Sequence, residues 1–271
     1  MTDAPIGIFD SGIGGLTVAR AIHELLPNEA TVYLGDTARV PYGPKSPDTV
    51  RRYSLEVLEW LLAQNVKAVV VACNTATAHA LDTLRAASPV PVLGVIEPGA
   101  RAAVAASPSG VIGVIGTAGT IGSGAYRRAL ESLRPGVRIV DRACPLFVPL
   151  VEEGWFEHAA TRAVAEEYLA PLRDQAVDVM VLGCTHYPLL KSLINDVMPG
   201  VRLIDSAEET ARELAGVIRS RGIGATGHRT PLRRFAVTDD VERFRNVAAV
   251  FVGQAPDDVE HVELGAVREL S

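Results

Sequence analysis

The chain has 271 residues, of which 48% are apolar and 21% charged, a composition typical of a water-soluble globular protein with enough apolar material for a core. This length suits one large domain or two domains of ordinary size. The formal net charge of −6 excludes a generally basic nucleic-acid-binding surface, although a small positive site for an anionic substrate remains compatible with it.

The N-terminal segment and the cysteines indicate where the protein works. The segment "MTDAPIGIFD" lacks the basic start and long apolar core of a signal peptide. No apolar run approaches the ~20 residues that span a bilayer. The three cysteines are widely spaced and form no CxxC pair, a pattern that favours neither a disulfide framework nor a zinc site. We therefore expect a cytoplasmic protein with reduced thiols and no bound metal.

Short β-branched runs alternate with longer amphipathic stretches along the chain. Strands are predicted at 5–10, 30–36, 68–73, 91–96, 110–116, 137–142, 177–184 and 201–206. Helices are predicted between them, at 17–26, 49–65 and 160–175. A last pair of strands is predicted around "RRFAVTDD" (233–240) and "AAVFVG" (248–253). This alternation predicts an α/β protein with mostly parallel sheets flanked by helices.

The chain also contains an internal echo. "GIFDSGIGG" (7–15) resembles "GVIGTAGTIGS" (113–123), and "VVVACNT" (69–75) resembles "VMVLGCTH" (179–186). Both pairs are separated by about 110 positions, which predicts two similar α/β units of roughly a hundred residues each. The segment 96–110 is expected to lead from the first unit into the second.

Polar side chains gather where the predicted strands end. In open α/β sheets, ligands bind beyond the carboxyl ends of the strands. The residues at these ends are Asp10, Ser11, Asp36, Cys73, Asn74, Thr75, Thr117, Cys184, Thr185 and His186.

Two of these residues are thiols in matching positions. Cys73 and Cys184 each precede a predicted helix start, where the helix dipole would lower a cysteine pKa from its usual ~8.5. Asn74, Thr75 and Thr185 could cap these helices, or could hold an anionic ligand. Two thiols brought to one cleft from related lobes would supply a base on each face of a carbon atom, which is the requirement of racemisation.

Two other interpretations involve the remaining cysteine and the first glycine-rich turn. Cys144 has no match in the other half and is expected to be a small buried hydrophobe. Residues 6–36 run strand, turn, helix and strand, which approximates a dinucleotide-binding unit. That fingerprint needs a glycine at position 17, which is Thr17, and it leaves the paired cysteines unexplained.

Six motifs lie in order between residues 6 and 206. They are "GIFDSGIGGLTV", "YLGDTARVPYGPKS", "VACNTATA", "GVIEPG", "CPLFVPLVEEG" and "LGCTHYPLL". Together they resemble the glutamate racemases of the aspartate/glutamate racemase superfamily. The resemblance implies a cofactor-independent isomerase that interconverts L- and D-glutamate and supplies D-glutamate for peptidoglycan.

The resemblance also implies roles for individual residues. Cys73 would act on the D-enantiomer and Cys184 on the L-enantiomer, with Asp10 and His186 beside the two thiols. As a carboxylate, Asp10 would raise the pKa of its thiol and would better serve as a proton acceptor. The further assisting acids would be Asp36 and Glu152. The substrate contacts would be Asp10, Ser11, Tyr42, Gly43, Asn74, Thr75, Thr185 and His186. Thr117 is also expected to contact the substrate, because it follows a predicted strand.

The architecture implied by the resemblance is two pseudo-twofold related lobes with the active site in the cleft between them. We expect residues 1–97 plus 207–271 to form the first lobe and residues 98–206 the second. A homodimer that binds glutamate, and neither membrane nor nucleic acid, is expected. A racemase of aspartate or another amino acid remains an alternative, as does a two-lobed binding module without catalysis.

Overall fold

The computed structural model describes residues 2–227, 231–252, 256 and 258–265. In this part of the chain the strands are β1 Ile6–Asp10, β2 Thr31–Gly35, β3 Ala68–Val71, β4 Val92–Gly94, β5 Val111–Gly116, β6 Arg138–Ala143, β7 Val179–Gly183, β8 Arg202–Asp205, β9 Arg233–Val237 and β10 Val259–His261. They form a six-stranded sheet and a four-stranded sheet, and every neighbouring pair is parallel.

Helices connect the strands, as parallel pairing requires. They are α1 Leu16–Leu25, α2 Pro47–Ala63, α3 Asn74–Ala87, α4 Ile96–Ala106, α5 Ala118–Gly122, α6 Ala125–Leu133, α7 Phe147–Glu152, α8 Ala159–Asp174, α9 Lys191–Val197, α10 Ser206–Arg221 and α11 Val241–Val252. Two short 3₁₀ helices lie at Thr37–Arg39 and Tyr187–Leu190. None of the helices in the described residues is long and apolar enough to cross a membrane.

The two sheets repeat one topology. The first has the order β10-β9-β2-β1-β3-β4 and the second the order β6-β5-β7-β8. Strands β1 to β4 and strands β5 to β8 therefore occur in the same relative order. Each central strand is buried along most of its length, because helices cover both faces of a parallel sheet. The predicted pair of similar α/β units and the eight strands that build it are confirmed.

The C-terminal part of the chain returns to the first sheet. Strand β9 pairs with β2, so that Phe235 lies opposite Tyr33, and β10 extends the sheet beyond β9. Helix α4 connects β4 to β5, and α10 connects β8 to β9. These two connections join one sheet to the other, and the two helices pack against each other. The boundaries 1–97, 98–206 and 207–271 stay a prediction, and residues 266–271 lie outside the described part.

The predicted strand "AAVFVG" is wrong. Residues 248–252 belong to α11, and Gly253 lies outside the described residues. The buried residues Phe244, Ala248 and Phe251 are spaced by four and three positions, which is the period of a helix with one face in the core. The β-branched run therefore lies on a helix whose apolar stripe begins at Phe244, and the strand in this region is the shorter β10.

Candidate active site

The polar residues predicted for the site lie at the carboxyl ends of both sheets. Asp10 ends β1, Asp36 follows β2, and Cys73 lies shortly after β3. Thr117 follows β5 and Cys184 follows β7. The two thiols thus come after the third strand of each repeated unit, as the internal echo predicts.

The two carboxyl edges meet through glycine contacts. A Cβ atom at position 14 would overlap Oγ1 of Thr185 and would lie 2.5 Å from Nδ1 of His186. A Cβ atom at Gly43 would lie 3.0 Å from Cβ of Thr117. Glycine at positions 14 and 43 therefore lets turns of the first sheet touch the residues that follow β5 and β7. The glycine-rich turn after β1 makes contact between lobes, which the dinucleotide-binding interpretation does not predict.

Cys73 is the N-cap of α3, and its sulfur has two hydrogen-bond partners. Its Sγ accepts from the backbone N–H of Ala76 at 3.4 Å and donates to Oγ of Ser11 at 3.3 Å. Burial raises the pKa of the Cys73 thiol to about 12, and the charge of Asp10 adds to this effect. The expectation that the helix N-terminus lowers the pKa of Cys73 is wrong here, because desolvation of the thiolate outweighs the hydrogen bond from the Ala76 N–H.

Asp10 lies on the same side of the site and is 1% exposed. Its Oδ2 accepts from the N–H of Gly12 at 2.9 Å, whereas its Oδ1 is buried without a hydrogen-bond partner among the described residues. Burial raises the pKa of Asp10, and the charge of His186 acts in the opposite direction. One carboxylate oxygen is therefore available to a ligand or a proton.

Cys184 has a different local structure from Cys73. The chain continues from it through a turn into the 3₁₀ helix Tyr187–Leu190, and α9 begins only at Lys191. The predicted helix start at this thiol is therefore wrong. The nearest side-chain partner of Cys184 is His186, whose Nδ1 lies 3.8 Å from Sγ.

His186 connects this thiol to a carboxylate. Its Nε2 lies 3.2 Å from Oε1 of Glu152, at the end of α7. Burial alone would lower the pKa of His186, but its hydrogen bonds to Cys184 and Glu152 and their negative charges raise it. The His186 interaction also lowers the pKa of Glu152, against the effect of burial. The ring of Phe251 on α11 packs edge-on against His186, with centroids 5.6 Å apart.

Hydroxyl and amide groups line the region between the thiols. The Asn74 side chain accepts from the Tyr126 hydroxyl at 2.7 Å, which leaves its Nδ2 buried without a partner among the described residues. The Thr75 hydroxyl lies 2.9 Å from that of Thr117 and 3.2 Å from that of Thr120. Asn74 and Thr75 therefore do not cap α3 through their side chains. Sequence reasoning missed Tyr126 and Thr120, because neither stands in one of the motifs.

Asp36 and Tyr42 lie in a separate network. Tyr42 is 1% exposed and donates its hydroxyl hydrogen to Oδ2 of Asp36. Asp36 also accepts from Nε of Arg39 at 2.7 Å and from the Thr238 hydroxyl at 2.9 Å. The described contacts thus tie Asp36 to the loop that carries Tyr42 and Gly43, and to neither thiol.

The third cysteine lies outside this arrangement. Cys144 is fully buried after β6, and its carbonyl accepts from the Tyr187 hydroxyl at 2.7 Å. Its thiol lies 3.7 Å from the carbonyl oxygen of Arg142, and burial raises its pKa to about 12. Across the residues that the structure describes, no three His, Cys, Asp or Glu side chains are grouped so that they could hold a metal ion.

The structure thus places a buried thiol on each of two sheet edges, with different polar side chains beside each. Residues 6–214 match the family described as Asp/Glu/Hydantoin racemase, and the chain belongs to this family of isomerases. Within it, the chain is 51% identical to the glutamate racemase of Geobacter metallireducens, over 97% of this chain and 98% of that protein.

Solved structures agree with this family. A glutamate racemase isoform from Bacillus anthracis matches with a TM-score of 0.94 and 42% identity, over 97% of this chain and 99% of that one. The glutamate racemase of Francisella tularensis, solved in complex with D-glutamate, matches with a TM-score of 0.92 and 36% identity, over 97% and 98%. The two-lobed α/β fold predicted from the sequence is that of these structures.

Proposed function

We propose that the protein interconverts L- and D-glutamate by passing the α-proton between two thiols on opposite faces of the substrate, without a cofactor. The observation that carries this proposal is the equivalent placement of Cys73 and Cys184 after β3 and β7, each with its own acid–base partner. The similarity to glutamate racemases over nearly the whole chain supports the choice of substrate.

The two thiols have different starting roles in this proposal. Cys73, with its pKa raised to about 12, holds its proton at neutral pH and is the resting proton donor. Nδ1 of His186 lies 3.8 Å from Sγ of Cys184 and is the group we assign to exchange a proton with it, and Glu152 orients the imidazole through Nε2. This pair is the resting base, and it takes the α-proton of L-glutamate while Cys73 protonates the opposite face.

The reverse reaction requires Cys73 to lose its proton. Asp10 is the group we assign to accept it, because burial raises its pKa and its Oδ1 has no partner among the described residues. Ser11, which directly follows Asp10 in the sequence, accepts the hydrogen bond from the Cys73 thiol. Cys73 would then take the α-proton of D-glutamate and the Cys184–His186 pair would supply the new one.

The α-proton of an amino acid is far less acidic than a thiol, so the site must stabilise the carbanion that develops next to the carboxylate. The unpaired Nδ2 of Asn74 and the hydroxyls of Thr75, Thr117 and Thr185 are the donors that we assign to the substrate carboxylate. All four side chains are mostly or fully buried, which strengthens such hydrogen bonds by excluding water. The further contacts would come from Tyr42–Gly43.

A chiral assay with L-glutamate and L-aspartate, without added cofactor, tests the proposal. We expect L-glutamate to yield D-glutamate until the two are equal in amount. Conversion of aspartate alone would contradict the substrate assignment. Absence of conversion of either amino acid, with binding retained, would favour a two-lobed binding module.

The cellular setting and the assembly complete the proposal. The D-glutamate would serve peptidoglycan synthesis in the cytoplasm, and the protein would act as a homodimer, as the family resemblance implies. We also retain 1–97 plus 207–271 and 98–206 as the two lobes. Light scattering at working concentration checks the assembly, since a monomer mass would exclude the dimer.

A further inference from the structure

The loop between β2 and α2 brings two of the proposed substrate contacts to the cleft. It carries Tyr42 and Gly43, and Gly43 lies against residues that follow β5. A Cβ atom at Gly43 would lie 3.0 Å from Cβ of Thr117, and one at Gly119 would lie 2.7 Å from the carbonyl oxygen of Gly43. A shift of this loop would therefore move Gly43 relative to Thr117 and Gly119.

Arg39 lies at the centre of the contacts that hold the loop. Its Nε donates to Oδ2 of Asp36 at 2.7 Å, and its Nη1 pairs with Oε2 of Glu56 on α2. The guanidinium carbon lies 4.1 Å from the centroid of the Tyr53 ring. Asp36 is fully buried and Glu56 is 9% exposed, so both carboxylates need a cation beside them. The planar fork of arginine can reach two carboxylates and stack on a ring at once, which lysine cannot do.

The same carboxylate ties the loop to the returning C-terminal segment. Thr238, directly after β9, donates its hydroxyl hydrogen to Oδ1 of Asp36 at 2.9 Å and accepts from the N–H of Ala38 at 2.9 Å. Tyr42 donates to the other carboxylate oxygen. Asp36 thus accepts hydrogen bonds from Arg39 and Tyr42 of the loop and from Thr238 after β9. Arg39 links this group to α2 through Glu56.

We propose that Arg39 is a positioning residue: by bridging Asp36 and Glu56 it holds the loop that delivers Tyr42 and Gly43 to the substrate. Asp36 acts in the same network, because it accepts hydrogen bonds from both Arg39 and Tyr42 of this loop. This inference rests on the proposed function, because it concerns the same site. Since no hydrogen bond joins this loop to either thiol among the described residues, its loosening should weaken binding of both enantiomers alike.

Steady-state kinetics on Arg39→Gln and Glu56→Gln test this role. We expect KM for L- and for D-glutamate to rise about tenfold in each variant, with a much smaller fall in kcat, which corresponds to about 1.4 kcal/mol of lost binding. Arg39→Lys should recover part of the affinity, since it can pair with one carboxylate only. Arg52→Gln is the matched control, because Arg52 lies 5.2 Å from the same Tyr53 ring but is exposed, and it should leave KM unchanged.

A merely structural role predicts something different. Loss of folded enzyme lowers the apparent kcat and leaves KM unchanged, and that result for both Gln variants would overturn the proposal. If Arg39→Gln does not fold, Glu56→Gln decides by the same criterion. Calorimetric titration with D-glutamate measures affinity without turnover, so the role of Arg39 is tested even if the wild-type protein proves not to racemise glutamate. Equal affinity of wild type and variants in that titration would also overturn it.

Discussion

The two halves of the site place the same side chain in equivalent positions and surround it differently. Cys73 is a helix N-cap beside Ser11 and Asp10, and its pKa is raised to about 12. Cys184 begins a turn and faces His186, whose own pKa is raised by its contacts. The repeated strand order thus sets where each thiol lies, whereas side chains that differ between the repeated stretches, Asp10 and Ser11 in one and His186 in the other, set the surroundings of each thiol.

Removal of either sulfur is the change with the largest expected effect on this comparison. Cys73→Ala and Cys184→Ala should each lower racemisation in both directions by about 10⁴-fold, because each direction needs one thiol to remove a proton and the other to deliver one. Chiral analysis of the products measures the loss. Cys144→Ala is the matched control and should retain the activity; near-normal racemisation in either of the first two variants would contradict the two-thiol account.

Replacing His186 beside Cys184, or Asp10 beside Cys73, should reveal the difference between the two halves of the site. The enantiomers have equal free energies in water, so kcat/KM must fall equally in both directions in any variant. The asymmetry must therefore appear in isotope effects. His186→Asn should lower kcat/KM by about 10²-fold by slowing the Cys184 step. The α-deuterium isotope effect should then rise with L-glutamate and approach unity with D-glutamate.

Asp10→Asn should give the mirror image, because it slows the step at Cys73. The α-deuterium isotope effect should rise with D-glutamate and approach unity with L-glutamate. Measuring both variants with both labelled enantiomers completes the comparison. Isotope effects that are equal for the two enantiomers in both variants would show that neither partner belongs to one thiol.

The raised pKa of Cys73 predicts how stability depends on pH. Burial raises the pKa of the Cys73 thiol from 9.0 to about 12, so the folded state favours the protonated form. This contribution to the free energy of unfolding is fully present below pH 9.0 and is lost as the pH rises toward 12. Urea unfolding at several pH values should show a shallower loss for Cys73→Ala than for wild type.

Cys144 provides the control for that measurement. Burial raises its pKa to about 12 as well, although it has no proposed part in the reaction. Cys144→Ala should therefore flatten the pH dependence of stability to a similar degree while retaining racemisation. Parallel curves for wild type and Cys73→Ala above pH 9.0 would contradict a raised pKa at Cys73.

The smallest expected effect comes from the contact that orients Asn74. Tyr126→Phe keeps the ring but removes the hydroxyl that donates to the Asn74 side chain. A neutral hydrogen bond contributes about 1 kcal/mol, so KM should rise about fivefold with the fold intact. Steady-state kinetics with both enantiomers measures this change, and an unaltered KM would show that Asn74 needs no such support.

The sequence predicted those features that local pattern determines. Buried β-branched runs gave the eight strands, and their spacing placed Cys73 and Cys184 after equivalent strands. A local sequence pattern does not show how deeply a side chain is buried or which distant groups surround it, and these determine its pKa. The pKa of Cys73 is raised by burial and by Asp10, and this increase outweighs the hydrogen bond from the Ala76 N–H at the start of α3.

Features that depend on distant segments escaped prediction. The run "AAVFVG" is β-branched and aromatic, yet its residues 248–252 are helical, on the helix whose buried face includes Phe244 and Phe251. Tyr126 reaches Asn74 from another helix, and Thr238 reaches Asp36 across about 200 positions of sequence. Such contacts follow from the topology, so no spacing rule in the sequence could identify them.

Solvent deuterium incorporation tests the two-thiol account most directly. Wild-type protein is mixed with α-protiated L-glutamate in heavy water, and both enantiomers are analysed by mass spectrometry at early conversion. If Cys184 removes the proton and Cys73 delivers another to the opposite face, the D-glutamate formed should carry α-deuterium while the remaining L-glutamate stays protiated. Retention of the α-proton in the D-glutamate, or early deuterium in both enantiomers, would instead indicate a single base and contradict the account.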